Sequence, residues 1–131
     1  MKQWQLNGFG IDNLHLEKSA VPKPGPGELL IRVSAVSLNY RDKLVVEGRF
    51  IPDLPFPFVP LSDAAGVVAA AGEGVSRFKQ GDRVTTHFFT GWLDGPVPSP
   101  RDALSLGGPL PGVLSEYVIA HENGVVATQA I

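Results

Sequence analysis

Few side chains in these 131 residues have types and spacing that suit chemistry. Asn39, Tyr40, Arg41 and Asp42 stand in a row, and Ser62 and Asp63 form a second pair further along. An amide, a phenol and a hydroxyl can donate hydrogen bonds, and a carboxylate can accept them or hold a proton. There is no cysteine, which excludes disulfides, thiolate catalysis and every cysteine-ligated zinc site. His15, His87 and His121 remain, but their spacing forms no His-x-x-x-His pair. Gly72-Glu73-Gly74 begins a glycine pattern that Arg77 breaks where a third glycine would stand. Phe78 and Gly81-Asp82 then read as a turn into a strand, whereas a phosphate cradle needs strand, turn and helix. These glycines are therefore read as a hairpin turn. Phe50, Phe56, Phe58, Phe88, Phe89 and Trp92 could line an apolar cleft, although such aromatics more often fill a core or anchor loops.

The elements that must hold these groups are mostly strands. In Leu29-Leu30-Ile31-Arg32-Val33-Ser34-Ala35-Val36 the alternate residues Leu29, Ile31, Val33 and Ala35 share one face. Arg32 and Ser34 point the other way, as on a half-solvated antiparallel strand. The preceding Pro22-Lys23-Pro24-Gly25-Pro26-Gly27 is a rigid turn that cannot join a ladder. Further strands are expected at 2–7, 14–18, 65–71, 83–89, 113–120 and 124–127. One short helix is expected, with Asn39 as N-cap, Asp42 at the third helical position, Gly48 as the stop, and Leu44 and Val45 facing the core. From Thr90 to Gly112 the chain reads as a long, proline-rich loop, a kind of segment that is usually functional or mobile. Many short strands and one helix argue a mainly β fold, a partly open antiparallel β-barrel.

Bulk properties narrow the function. The length fits one domain, and 44% hydrophobic residues suffice for a core. A net charge of −2 gives no electrostatic case for nucleic acid or an anionic membrane. No apolar run approaches the roughly 18 residues of a membrane span, and the first residues lack the apolar centre of a signal peptide. The default localisation is cytoplasmic.

Several segments, in order, resemble the N-terminal catalytic domain of the medium-chain dehydrogenase/reductase superfamily. Val21-Pro22-Lys23-Pro24-Gly25-Pro26-Gly27-Glu28-Leu29-Leu30-Ile31 looks like the start of that domain's second sheet. Ser37-Leu38-Asn39-Tyr40-Arg41-Asp42 resembles the start of the catalytic helix in the quinone-oxidoreductase-like branch. Pro60-Leu61-Ser62-Asp63-Ala64-Ala65-Gly66-Val67-Val68 matches the strand that opens with Gly-His-Glu in zinc alcohol dehydrogenases. Gly74-Val75-Ser76-Arg77-Phe78-Lys79-Gln80-Gly81-Asp82-Arg83-Val84 and Gly112-Val113-Leu114-Ser115-Glu116-Tyr117-Val118 resemble two later signatures. The resemblance implies a GroES-like barrel, in agreement with the strand count.

It also implies a site. Zinc members hold a catalytic zinc with Cys and His from this region; Asn39 stands at the Cys position and Ser62 at the His position, and both are poor zinc ligands. No zinc is expected. Tyr40 falls where an Arg often contacts cofactor phosphates, Arg41 where a hydroxyl relays protons, Asp42 on a carboxylate behind the metal ligands, and Asp63 on the Glu after the zinc His. The implied catalytic residues are Asn39, Tyr40 and Ser62, as donors to the oxygen that gains charge when hydride arrives. The implied cofactor-binding residues are Asn39, Tyr40 and Asp42, with NADPH or NADH as the cofactor. Structural alternatives stand beside each: Asn39 as a helix cap, Asp42 as a dipole partner, Ser62 as a satisfied backbone contact, and Asp63 as an inward carboxylate paired with Arg41 or Lys43.

The resemblance ends before a nucleotide-binding domain. Residues 1–131 are therefore expected to form an incomplete GroES-like domain, part of a zinc-independent reductase of quinones, enones or other small carbonyl compounds, and inactive alone. The competing expectation is a non-catalytic barrel module that self-associates into a homo-oligomer to cover apolar surface. A chaperone subunit of the GroES type is the weakest reading.

Overall fold

The computed structural model describes residues 1–92, 94–96, 99 and 104–128. It is mainly β. Strands β1 (Lys2–Leu6) and β2 (Leu14–Lys18) form an antiparallel ribbon. Strands β3 (Glu28–Ser37), β4 (Asp63–Ala71), β5 (Arg83–Thr86), β6 (Tyr117–His121) and β7 (Val125–Ala127) form a five-stranded antiparallel sheet in the order β6-β3-β4-β5-β7. Helix α1 (Tyr40–Val46) joins β3 to β4. The ribbon meets the sheet side through backbone pairing of Gln3 with Ser115 and of Leu6 with Phe58. The result is a partly open antiparallel barrel.

The order of the strands follows from where apolar side chains must go. One cluster holds Leu29, Ile31, Val68, Val84, Val118 and Val125, one or two from each strand of the sheet. A second holds Leu6, Val45, Val46, Leu54 and Phe58, which fastens α1 onto β1 and the chain before β4. Burying side chains of this size contributes roughly 1.5–3 kcal/mol each. The helix, one of the shorter kinds, has little stability of its own, and this packing fixes it.

Several boundaries differ from the sequence expectation. The strand expected over 83–89 ends at Thr86, because the Phe89 backbone turns to pair with Ser105. The strand expected over 113–120 begins only at Tyr117. Before it, the Val113 and Leu114 amides donate to Pro60, and Ser115 pairs with β1. Strand β4 begins at Asp63, two residues earlier than expected, which puts that carboxylate on the sheet. On β3 the alternation breaks: Leu29, Leu30 and Ile31 are all buried, and Ala35 is exposed. The register shift at Val33/Ala35 leaves Ser34 as an extra residue on β3, which turns the side chains after it to the other face, while the shift at Leu30/Ile31 places its extra residue, Ala69, on β4. In α1 the buried pair is Val45 and Val46, with Leu44 only half-buried. Gly72 to Asp82 link β4 to β5 with no helix, so the broken glycine pattern is a loop, as read from the sequence.

Candidate functional site

The sequence stretches 39–42 and 62–63 meet in space where β3 runs into α1 and β4 begins. Asn39 is the N-cap of α1, in extended conformation. Its backbone N–H donates to Asp42 Oδ2 at 2.8 Å, and the Asp42 N–H donates to the Asn39 carbonyl at 3.0 Å. The first of these is one arm of a capping box, whose other arm runs from the Asp42 N–H to the Asn39 side chain, and it satisfies donors that the helix start would otherwise orphan. The expected helix start at Asn39 and stop near Gly48 are both as found, Gly48 having φ 77°.

The Asn39 side chain reaches the opposite strand. Its Nδ2 donates to Asp63 Oδ2 at 2.7 Å and faces Ser62 Oγ at 3.4 Å. An ionised carboxylate only accepts, so Asp63 fixes which end of the amide faces it. Both amide hydrogens are thus turned toward β4, while the amide oxygen faces the Asp42 N–H as the other arm of the capping box. Ser62 is buried, with 1% of its surface exposed. Tyr40 is 69% exposed, so its ring and hydroxyl are open to a ligand.

Asp42 is only 4% exposed, and its Oδ1 has no hydrogen-bond partner among the described residues. Burial raises its pKa above the usual carboxylate value; the Asn39 N–H and the Arg41 charge oppose this, and Asp63 adds to it. A carboxylate so enclosed acts on the site through the Asn39 backbone.

Arg41 overturns the pairing expected for Asp63. Its guanidinium does not turn to Asp63 but crosses to the segment 105–108, where Nη2 donates to the Gly108 carbonyl and, at 3.2 Å, to Ser105 Oγ. Lys43 pairs instead with Glu47 at 2.9 Å, one helical turn on. The sequence offered no signal for the contact between Arg41 and Gly108, because Gly108 lies inside the long loop, 67 residues away along the chain.

Ser62 is placed by a strained backbone. Leu61, just before it, has φ 77°, a left-handed conformation that non-glycine residues rarely adopt. Val113 N–H donates to Leu61 O at 3.0 Å, and Gly112 N–H to Val59 O at 2.7 Å. A Cβ on Gly112 would press into the Pro60 and Leu61 carbonyls, and one on Gly107 would meet the Leu61 backbone. The two glycines let the loop return close enough to hold Leu61 and Ser62.

The aromatic residues separate into groups. Phe58 is core, and Phe56 packs edge-on against Phe9. Phe50, Phe88 and Phe89 line a pocket of about 560 Å³ that begins at Arg41, and Trp92 stacks behind Phe89. A second hollow of about 360 Å³ runs along β6, and none of Asn39, Tyr40, Ser62 or Asp63 lines either cavity.

This arrangement suits hydrogen bonding more than metal binding. Zinc takes thiolate, imidazole or carboxylate ligands. Of the groups gathered here only the carboxylates qualify: Asp63 holds the Asn39 amide, and Asp42 is enclosed. Among the described residues no three His, Asp or Glu converge as a metal site.

The model of the alcohol dehydrogenase GroES-like domain matches residues 25–130. The chain belongs to this family. Its GroES-like domain is 39% identical over 118 residues to a zinc-type alcohol dehydrogenase-like protein of Schizosaccharomyces pombe, covering 89% of this chain and 34% of that protein. It is 36% identical to a chloroplastic quinone-oxidoreductase homolog of Spinacia oleracea, covering 95% of this chain and 33% of that one. The chain thus spans about a third of the length of these curated relatives. Among solved structures, the thermostable alcohol dehydrogenase of Pyrobaculum aerophilum superposes with a TM-score of 0.87 at 33% identity, over 100% of this chain and 41% of that one. The GroES-like domain is thus of the medium-chain dehydrogenase/reductase superfamily, with alcohol dehydrogenases and quinone oxidoreductases as its relatives. No helix among the described residues is long and apolar enough to cross a membrane.

Proposed function

We propose that residues 1–131 are the substrate side of an NAD(P)H-dependent, zinc-independent reductase acting on quinones, enones or similar small carbonyl compounds. The observation that carries this reading is the Asn39–Ser62–Asp63 contact, where hydrogen bonds occupy the groups at the positions that resemble the zinc ligands. A nicotinamide nucleotide, when bound, supplies hydride. Tyr40, exposed at the first position of α1, donates to the substrate oxygen as it gains charge. Asn39 takes a donor of the nicotinamide or of the substrate on the second lone pair of its amide oxygen, and Asp63 keeps the amide from turning. Ser62 supports Asn39 from behind. Asp42 contributes to cofactor binding by holding the Asn39 backbone. The nucleotide phosphates are held outside these residues, since no glycine-rich strand–turn–helix occurs within them. NADPH over NADH and a cytoplasmic location belong to the same proposal, and self-association belongs to the competing reading of a non-catalytic barrel module.

The test is NADPH oxidation with a quinone or enone by these residues joined to a nucleotide-binding unit, in the presence of a chelator. Tyr40→Phe and Asn39→Ala are each expected to lower kcat by about 100-fold. Unchanged kinetics in both variants would remove the site assignment. Activity that the chelator abolishes and zinc restores would remove zinc independence.

A further inference from the structure

The pocket beside α1 carries a cation whose charge no carboxylate among the described residues pairs with. Arg41 is half-buried, its guanidinium 4.9 Å from the Phe50 ring centre and 5.0 Å from that of Phe88. Its hydrogen-bond acceptors are neutral: the Gly107 and Gly108 carbonyls and Ser105 Oγ. Its Nε has no acceptor among the described residues. Burial lowers its pKa, and Asp42 opposes that only through its field, since no ion pair joins them. No carboxylate lines the pocket among the described residues; its other walls are Ile51, Phe89 and Pro109.

The floor is also stiff. Ser105 Oγ donates to Gly108 O at 2.7 Å, Leu110 N–H to Ser105 O at 3.1 Å, and Gly108 N–H to Leu110 O at 3.0 Å. Arg41 is thereby held in place before any ligand arrives, which reduces the ordering cost of binding. Flat aromatic walls favour a flat ring, and a partly desolvated guanidinium favours an anionic oxygen.

We propose that this pocket binds a planar aromatic ring that carries an anionic oxygen group, such as a carboxylate, with the ring against Phe50 and Phe88 and the oxygen on Arg41. The proposal rests on the reductase reading in one respect only, that the ligand is a substrate. Aliphatic carbonyl compounds would then be poor substrates, and acidic aromatic ones good.

The experiment uses the ¹⁵N-labelled 131-residue chain and three probes: 2-naphthoate, the neutral 2-naphthalenemethanol and the non-planar cyclohexanecarboxylate. Naphthoate is expected to bind saturably and at least about 10-fold more tightly than either of the others, moving the Arg41 Nε–H and Gly108 N–H signals. Arg41→Gln should bring naphthoate and the alcohol to within about twofold of each other. Phe50→Leu, which leaves the Arg41 hydrogen bonds in place, should weaken both and keep their ratio. Equal binding of the alcohol by the wild-type chain, shifts confined to Tyr117–His121, or no saturation at millimolar naphthoate would each overturn the proposal. Naphthoate binding in a protein that reduces no carbonyl compound would leave the pocket standing and remove the reductase reading. Carbonyl reduction with no preference for acidic rings would do the reverse.

Discussion

Asp42 shows how one side chain can be spent on a backbone and still carry consequence. Its carboxylate is enclosed, one oxygen on the Asn39 N–H and the other without a partner. Burial keeps its proton on to a higher pH than the 3.8 of an ordinary aspartate. The folded state therefore binds more protons than the unfolded chain between those two values, and stability falls as pH rises through that window. Asp42→Asn, which can still accept the Asn39 N–H, is expected to remove this slope. The variant should gain stability relative to wild type at pH 7 and lose that advantage in acid, as read by chemical denaturation on both sides of the window. Identical slopes would mean that Asp42 is not the enclosed group described here. At this scale the sequence was partly legible. The cap at Asn39 follows from local rules, whereas the grip of Asp63 on the Asn39 amide needs the closure of β3 on β4. The direction of Arg41 was not legible: opposite charges suggested a pair with Asp63, but backbone carbonyls brought in by a distant loop offered better geometry.

At the scale of elements, the site depends on three pieces that touch: the start of α1, the start of β4, and the loop that returns at Gly112. The loop is the least obvious of them. Its glycines allow backbone to lie on backbone at Pro60 and Leu61, and the Val113 N–H on the Leu61 carbonyl, with the Gly112 N–H on Val59, holds this left-handed turn. Gly112→Ala is expected to destabilise the fold by about 1–3 kcal/mol, measured by urea unfolding, and to loosen Ser62. A neutral result would mean that the loop shifts without cost and does not position the site. Strand positions were legible wherever apolar residues alternated or a turn marked the boundary, as in β2. The β3 face was misjudged because a bulge at Ser34 resets the alternation, and a bulge leaves no mark in the sequence pattern. Residues 113–116 were misjudged because their pairing is divided between β1 and the chain before β4, and no periodicity records a divided partner.

The whole molecule is a barrel with one side of a site on its rim. The family match, the TM-score against a solved alcohol dehydrogenase and the quinone-oxidoreductase relatives support an oxidoreductase parentage. The spacing of motifs along nearly the whole chain made this fold legible before any coordinates, because a barrel of this kind fixes the order of its turns. Cofactor affinity belongs to this scale too. On the proposed reading Tyr40 and the Asn39 amide are the main contacts of these 131 residues to a nicotinamide, so a titration followed by nicotinamide fluorescence should show no saturation with NADPH below millimolar. Micromolar binding would show that the barrel, alone or self-associated, builds a nucleotide site of its own.

Hydrogen bonding among Asn39, Ser62 and Asp63 is proposed to stand at the positions that resemble the zinc ligands. Cobalt(II) tests it most directly, because a tetrahedral site with protein ligands gives intense visible absorption while aqueous cobalt does not. The purified chain, incubated with excess cobalt(II) or zinc and then dialysed, is predicted to show no such bands and to retain well under one metal per chain, on the order of one tenth or less. Stoichiometric retention with a tetrahedral cobalt spectrum, lost in Asp63→Ala, would contradict the account at its foundation.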